Sequence, residues 1–370
     1  MVDQIWEFFI KTLITMFFPL VCIYHTIAGN LFLNSSAENA QGLEYAGNVL
    51  LAPFQYIFGG HVAILQEDRS WLFVQRYEYN DLFWAKTACS LTTLPASVVL
   101  GSAVKGLSYL SPEVRARHAA LAADRHTTDI QSHAALYQKL GIHIGQLQTA
   151  PFLESQGYQR RPGDERHMHK SKECLAEIAK LLNEAGIPWW ADCGTLLGSY
   201  RYGGVIPWDN DIDIGILALD FENVRKILGR LDKTKYMVQD WSGRNFPNTF
   251  LKIYIRESDD LIDVYCYAVD AEKRELSYIL SIEDSLFFPE QYKKDEARYK
   301  VPVSFDVVFP LKRGHLDGLE IAVPANTKAF LQRYPHYGQN LAPVKIFNPV
   351  TNQFEKDPSH PYWQHAAASN

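Results

Sequence analysis

The chain has 370 residues, 47% of them apolar and 21% charged, with a net charge of −6 at neutral pH. That length admits one large domain or two smaller ones, and the acid excess offers no basic field for nucleic acid, so no nucleic-acid partner is expected. Five cysteines at 22, 89, 174, 193 and 266 form neither a Cys-x-x-Cys pair nor a regular series, which gives no zinc signature or disulfide framework and suits a reducing compartment.

Three uncharged runs mark the amino-terminal third. Residues 12–33 lack Asp, Glu, Lys and Arg and are long enough to cross a bilayer. Asp3 and Glu7 precede this run with only Lys11 between them and it, so the basic start of a signal peptide is missing. The second run, 45–65, contains Pro53 and a Gly59-Gly60 pair, and the third, 87–104, is richer in Ser, Thr and Ala. Between these two, residues 66–86 carry Trp71, Phe73, Tyr77, Tyr79, Phe83 and Trp84 among charges, a composition that suits a membrane interface. The reading is a hydrophobic, helical, membrane-associated region over 1–110. Buried helices of a soluble helical domain are the alternative. Lys105, Arg115, Arg117 and Arg125 follow the last run and would keep the remainder cytoplasmic. Residues 111–163 read as a helical linker, opened by Ser111-Pro112-Glu113. Its histidines 118, 126, 133 and 143 are unevenly spaced and read as surface or packing residues.

From Asp164 the periodicities sharpen. Leu175, Ile178, Ala179 and Leu182 share one helical face, and Gly186 with Pro188 ends that helix. A short buried strand over 187–191 leads into Asp192-Cys193-Gly194-Thr195-Leu196-Leu197-Gly198-Ser199. Two glycines here read as a turn whose backbone amides approach a phosphate, with Arg201 placed to neutralise it. Asp209, Asp211 and Asp213 then alternate, with Ile212 and Ile214 between and after the last two, the period-2 pattern of a strand with one wet and one buried face. Carboxylates at i and i+2 point to the same side and repel unless a cation sits between them. Oxygen-only ligands suit a hard ion such as Mg²⁺. A calcium loop of the EF-hand kind needs Gly where Ile214 stands and Glu where Asp220 stands, so that reading fails. A helix over 220–230 and strands over 249–256 and 261–268 follow. Asp263, alone among apolar neighbours in Leu261-Ile262-Asp263-Val264-Tyr265, is costly as an ion unless paired or metal-bound. Beside Asp211 and Asp213 it would complete a three-carboxylate metal site.

Leu197-Gly198-Ser199 followed by Asp211-Ile212-Asp213-Ile214 resembles the motif of the pol β-type nucleotidyltransferase superfamily. Gly194-Thr195-Leu196-Leu197-Gly198, Arg201 and Ile206-Pro207-Trp208-Asp209 bring it nearer to the LicD/fukutin family. So do Ile262-Asp263-Val264, Leu319-Glu320-Ile321-Ala322-Val323-Pro324, and Tyr334 with Tyr337-Gly338. The resemblance covers about 165–340 and leaves 1–160 without a counterpart.

It implies an α+β fold: a nucleotidyltransferase-like mixed sheet with flanking helices over 164–345, behind the helical hydrophobic region and before a tail at 346–370. The implied reaction moves a phospho-alcohol, phosphocholine or a polyol phosphate, from a CDP-linked donor to a hydroxyl of a glycan or lipid-linked glycan. Asp211, Asp213 and Asp263 would hold one or two Mg²⁺ (or Mn²⁺) ions, and Asp263 would draw the acceptor's proton. Gly194, Thr195, Gly198, Ser199, Arg201 and Asp209 would surround the donor, Gly198 and Ser199 against its phosphate and Asp209 behind the metal ligands. Residues 270–315 follow no family pattern, which leaves the acceptor unread. The rival readings are a true nucleotidyltransferase acting on a sugar phosphate or hydroxyl, and an inactive membrane-bound binding module.

Overall fold

The computed structural model describes residues 42–51, 53–54, 61–65, 71–75, 83–126, 130–144, 150–158, 160, 162–242, 246, 248–256, 258, 260–283, 290–338, 341, 346–348 and 353–355. They fall into two compact units, one comprising Met1–Thr128 with Asp240–Thr249 and Leu280–Ala297, the other the rest of the chain.

In the first unit, helix α1 (Gly42–Leu50) packs against the long helix α2 (Phe83–Ser108), and α3 (Pro112–His126) follows. Glu44 of α1 is buried and pairs with Arg117 and with His118, whose Nε2 lies 2.7 Å away. The expected all-helical region is corrected here. Strands β1 (His61–Leu65) and β2 (Trp71–Gln75) form an antiparallel hairpin across the end of the second uncharged run and the aromatic stretch after it. Short β-branched and aromatic runs fit a pleated surface better than a helix. The third run lies inside α2, which carries Pro95. Among the described residues no helix is long and apolar enough to cross a membrane. The first run, 12–33, lies outside the described residues.

In the second unit, α4 (Ala134–Lys139) and α5 (His169–Glu184) precede the sheet. The seven strands run in the order β3 (Trp189–Ala191), β4 (Asp211–Leu217), β7 (Leu261–Asp270), β6 (Phe250–Ile255), β5 (Tyr236–Asp240). β8 (Glu275–Tyr278) extends β7, and β9 (Val303–Ser304) pairs with β8. β4 and β7 are parallel, while β3–β4 and β6–β7 are antiparallel. The sheet is therefore mixed, with helices packed on it. One face carries Ile212, Ile214 and Ile216 of β4, Ile262, Val264 and Cys266 of β7, and Leu251, Ile253 and Ile255 of β6, all buried. α5 crosses β4, β6 and β7, bringing Leu175, Ile178 and Leu182 onto that sheet with no exposed surface left. Helix α6 (Cys193–Tyr202) packs on β4, and α7 (Phe221–Leu228) packs on α5. A hairpin of β10 (Lys312–Leu316) and β11 (Leu319–Val323) turns through Asp317-Gly318, both at positive φ, as a two-residue hairpin loop requires. Of the tail, Ile346–Asn348 pairs with Gln353–Glu355, and the remainder lies outside the described residues.

Candidate functional site

Register builds the site. In the parallel β4–β7 pair Asp213 stands opposite Asp263, and Asp211 lies two residues back on the same face of β4. Each of the three offers one oxygen within 4.8 Å of the others, the one such group of metal-ligand side chains among the described residues. Asp213 and Asp263 are buried, at 6% and 5% exposure. Burial, then the charges of Asp211, Asp263, Asp209 and Asp192, drives the Asp213 carboxyl well above its usual range. Burial raises Asp263 too, against the opposing pull of the Lys252 ammonium and the Tyr265 hydroxyl. Asp209 is pushed up to about 8 by burial and by Asp211, with the Asn210 backbone acting the other way. Three carboxylates are forced together in a partly dry site, and an all-oxygen donor set fits a hard divalent cation such as Mg²⁺ or Mn²⁺.

The stretch expected as an open glycine turn is helical. Asp192 caps α6, its side chain accepting from the Cys193 N–H at 2.8 Å, and its own N–H donates to Asp213 O at 3.0 Å. Thr195 accepts the Asp213 N–H on its hydroxyl at 2.9 Å, so it fixes the backbone of the carboxylate strand. Gly194 leaves room for Asp209, because a Cβ there would meet Asp209 Oδ2 at 2.5 Å. Gly198 is tighter against backbone: a Cβ would fall 2.6 Å from Gly204 O and 3.0 Å from Ile206 N. Ser199 is buried, its hydroxyl without a hydrogen-bond partner among the described residues, and buried Arg201 donates from Nε to Leu341 O at 2.6 Å. Of the residues expected around the donor, Gly194, Thr195 and Asp209 thus adjoin the carboxylates. Gly198, Ser199 and Arg201 are buried on α6, where Gly198 lets the helix sit on the loop after it.

Sequence reasoning missed several residues around the carboxylates. Lys252 on β6 is the register partner of Asp263, with Nζ 3.1 Å from Oδ1 and 3.2 Å from Oδ2. Its signal was present: a charge inside Phe250-Leu251-Lys252-Ile253-Tyr254-Ile255 interrupts an apolar strand just as Asp263 does. Asp192 also belongs to a buried network. Tyr267 donates its hydroxyl to Asp192 Oδ2, Tyr334 reaches Oδ1 at 3.5 Å, and Arg333 donates to Tyr267 at 2.8 Å. No local sequence pattern links groups that far apart. His167 sets Nε2 2.5 Å from Asp209 O. A cavity of about 950 Å³ elsewhere in this unit is lined by Tyr137, Ile142, Trp189 and Leu311, and none of the three carboxylates lines it.

A mixed sheet that sets two carboxylates of one strand against a third on its parallel neighbour, beside a capped helix, defines a nucleotidyltransferase-type domain. Residues 186–326 match the family model described as LicD/FKTN/FKRP, nucleotidyltransferase domain, a match that places this segment, and not the whole chain, with the LicD/fukutin family. An uncharacterized protein of Rickettsia prowazekii (strain Madrid E) is 27% identical over 190 residues, which is 50% of this chain and 62% of its own. The Homo sapiens ribitol-5-phosphate transferase FKTN is 43% identical over 53 residues, 14% of this chain and 12% of its own. The Mus musculus ribitol 5-phosphate transferase FKRP is 38% identical over 58 residues, 16% and 12% respectively. The chain thus spans less than two thirds of the length of each of these relatives.

Proposed function

We propose that the chain is a metal-dependent transferase that moves a phospho-alcohol from a CDP-linked donor to a hydroxyl of a glycan or lipid-linked glycan. The observation that carries this reading is the parallel register of Asp213 with Asp263 beside Asp211, in a domain whose relatives include the two ribitol-phosphate transferases. Asp211, Asp213 and Asp263 would hold Mg²⁺ or Mn²⁺. When bound, such an ion neutralises phosphate charge and steadies the leaving oxygen. The acceptor hydroxyl forms a new oxygen–phosphorus bond at the phosphate nearer the alcohol, the phosphoanhydride bond breaks, and CMP leaves. The acceptor's proton passes to Asp263. Thr195 keeps β4 in register while Gly194 and Asp209 close the space beside the carboxylates. On the uncharged amino-terminal runs we add membrane association, with the transferase domain on the cytoplasmic side.

The test is transfer itself. The full chain is incubated with CDP-ribitol or CDP-choline, a glycan acceptor and Mn²⁺, and phosphorus NMR follows CMP release and the new phosphodiester. Asp211→Asn removes ligand charge at constant volume and should lower the rate on the order of a thousandfold. A product that carries cytidine would replace this reading with nucleotidyl transfer. Unchanged turnover in Asp211→Asn would discard the metal assignment.

A further inference from the structure

Lys252 belongs to no part of the reaction drawn above, yet it lies against the third carboxylate. Cross-strand register places it opposite Asp263, and its ammonium spans both oxygens at 3.1 and 3.2 Å. The pair is largely withdrawn from water, the two side chains being 15% and 7% exposed. Aromatic packing fixes it further. The Phe250 ring lies 5.5 Å from Lys252 Nζ and stacks on Tyr265 at 5.2 Å with only 4° between planes. Tyr265 in turn donates its hydroxyl to Asp263 Oδ2 at 3.3 Å.

We propose that Lys252 takes the place of a second metal ion, so that the three carboxylates hold a single divalent cation. This rests on the three-carboxylate reading given above. Two-metal phosphoryl-transfer sites clamp the attacking and the leaving oxygen with one ion each. Here one flank of the site already carries a cation. With one Asp263 oxygen given to the first ion, a second divalent ion would contend with the ammonium for the other, and like charges so close in a half-dry site repel strongly. The three ligand carboxylates, once ionised, and one ammonium sum to −2, which one divalent ion neutralises. An ammonium donates hydrogen bonds but coordinates nothing, so Lys252 can counter charge on that flank without activating a hydroxyl as a metal does. It is a positioning residue that sets the ion count.

The experiment counts ions. Electron paramagnetic resonance measures Mn²⁺ bound to the full-length protein in the presence of saturating CDP, for wild type, Lys252→Arg, Lys252→Met and Lys252→Gln, each checked by circular dichroism. One ion per chain is expected for wild type and Lys252→Arg, and two for the neutral variants. Two ions in wild type overturn the proposal while leaving the carboxylate site standing. One ion in folded neutral variants overturns it as well, since the lysine would then not be what limits the count. No bound Mn²⁺ in any protein removes the metal-site reading and this proposal together.

Discussion

Asp220 sits wholly buried where α7 begins, with one oxygen serving two neighbours. The Tyr137 hydroxyl donates to Oδ1 at 2.7 Å, and His133 Nδ1 lies at the same distance, while buried Oδ2 has no hydrogen-bond partner among the described residues. Burial raises the carboxyl, and the two hydrogen bonds offset only part of that rise. Between the unfolded and folded values the native state therefore binds more protons than the unfolded chain, so stability is lost as pH rises. Asp220→Asn keeps an acceptor for both neighbours and removes the titration. Its melting temperature, followed from pH 5 to 8 beside wild type, should decline less. The gap between the two curves should change by roughly 2–4 °C for about 1 kcal/mol. Parallel curves would show that Asp220 is ionised throughout. The same residue ties down the segment before α4, as does Asn223, which exchanges hydrogen bonds with the Gln131 backbone at 2.8 and 3.2 Å.

At the scale of elements, α6 explains why the glycine-rich motif reads as it does. The helix lies on β4 and on the β10–β11 hairpin, and its inner residues Leu196, Leu197 and Tyr200 are core. Gly198 lets it descend onto the Gly204–Ile206 backbone, which cannot yield as a side-chain tip can. Gly198→Ala should therefore cost about 1–3 kcal/mol through overpacking, measured as a lower midpoint in urea with an unchanged slope. An unaltered midpoint would mean that the helix has room to shift. The hairpin beyond is pinned by Asp317, which takes Arg160, Lys172 at 2.9 Å and the Val205 N–H at 3.2 Å. Burial alone would raise that carboxyl, but these donors hold it below its usual range. Two segments distant in sequence are thereby clamped to the loop that α6 rests on.

At the scale of the whole molecule, the carboxylate-bearing domain is joined to an amino-terminal region with an unusual outer surface. Leu91, Val99, Leu100 and Leu107 of α2 are all exposed, and residues 87–104 contain no charge to keep that helix wetted. Isolated exposed leucines are ordinary, whereas a run of them on one element favours an apolar partner. The full chain should float with vesicles of neutral phospholipid in a density gradient, and a chain lacking residues 1–110 should stay at the bottom. Identical behaviour of the two would end the reading of residues 1–110 as the anchor and leave the transferase reading untouched, because the carboxylates lie in the other unit.

Local pattern alone determined the strand character of 211–217 and 261–270, the helix over 169–184, and the identity of Asp211, Asp213 and Asp263 as the carboxylates to watch. Each follows from neighbours within a few positions, since alternation and helical spacing are short-range and an isolated Asp in an apolar strand is conspicuous by itself. Only the tertiary structure decided that β7 lies parallel to β4 with Asp263 opposite Asp213, with β5 and β6 intervening in sequence. It also decided that Gly198 and Arg201 are buried against the segments around α6, that Lys252 faces the site, and that Asp192 shares its burial with Tyr267, Arg333 and Tyr334. These depend on register and on contacts between distant segments. Sliding one strand by a single residue would turn every one of its side chains to the other face of the sheet. No local rule encodes that choice, and it is settled by the summed burial of both faces at once.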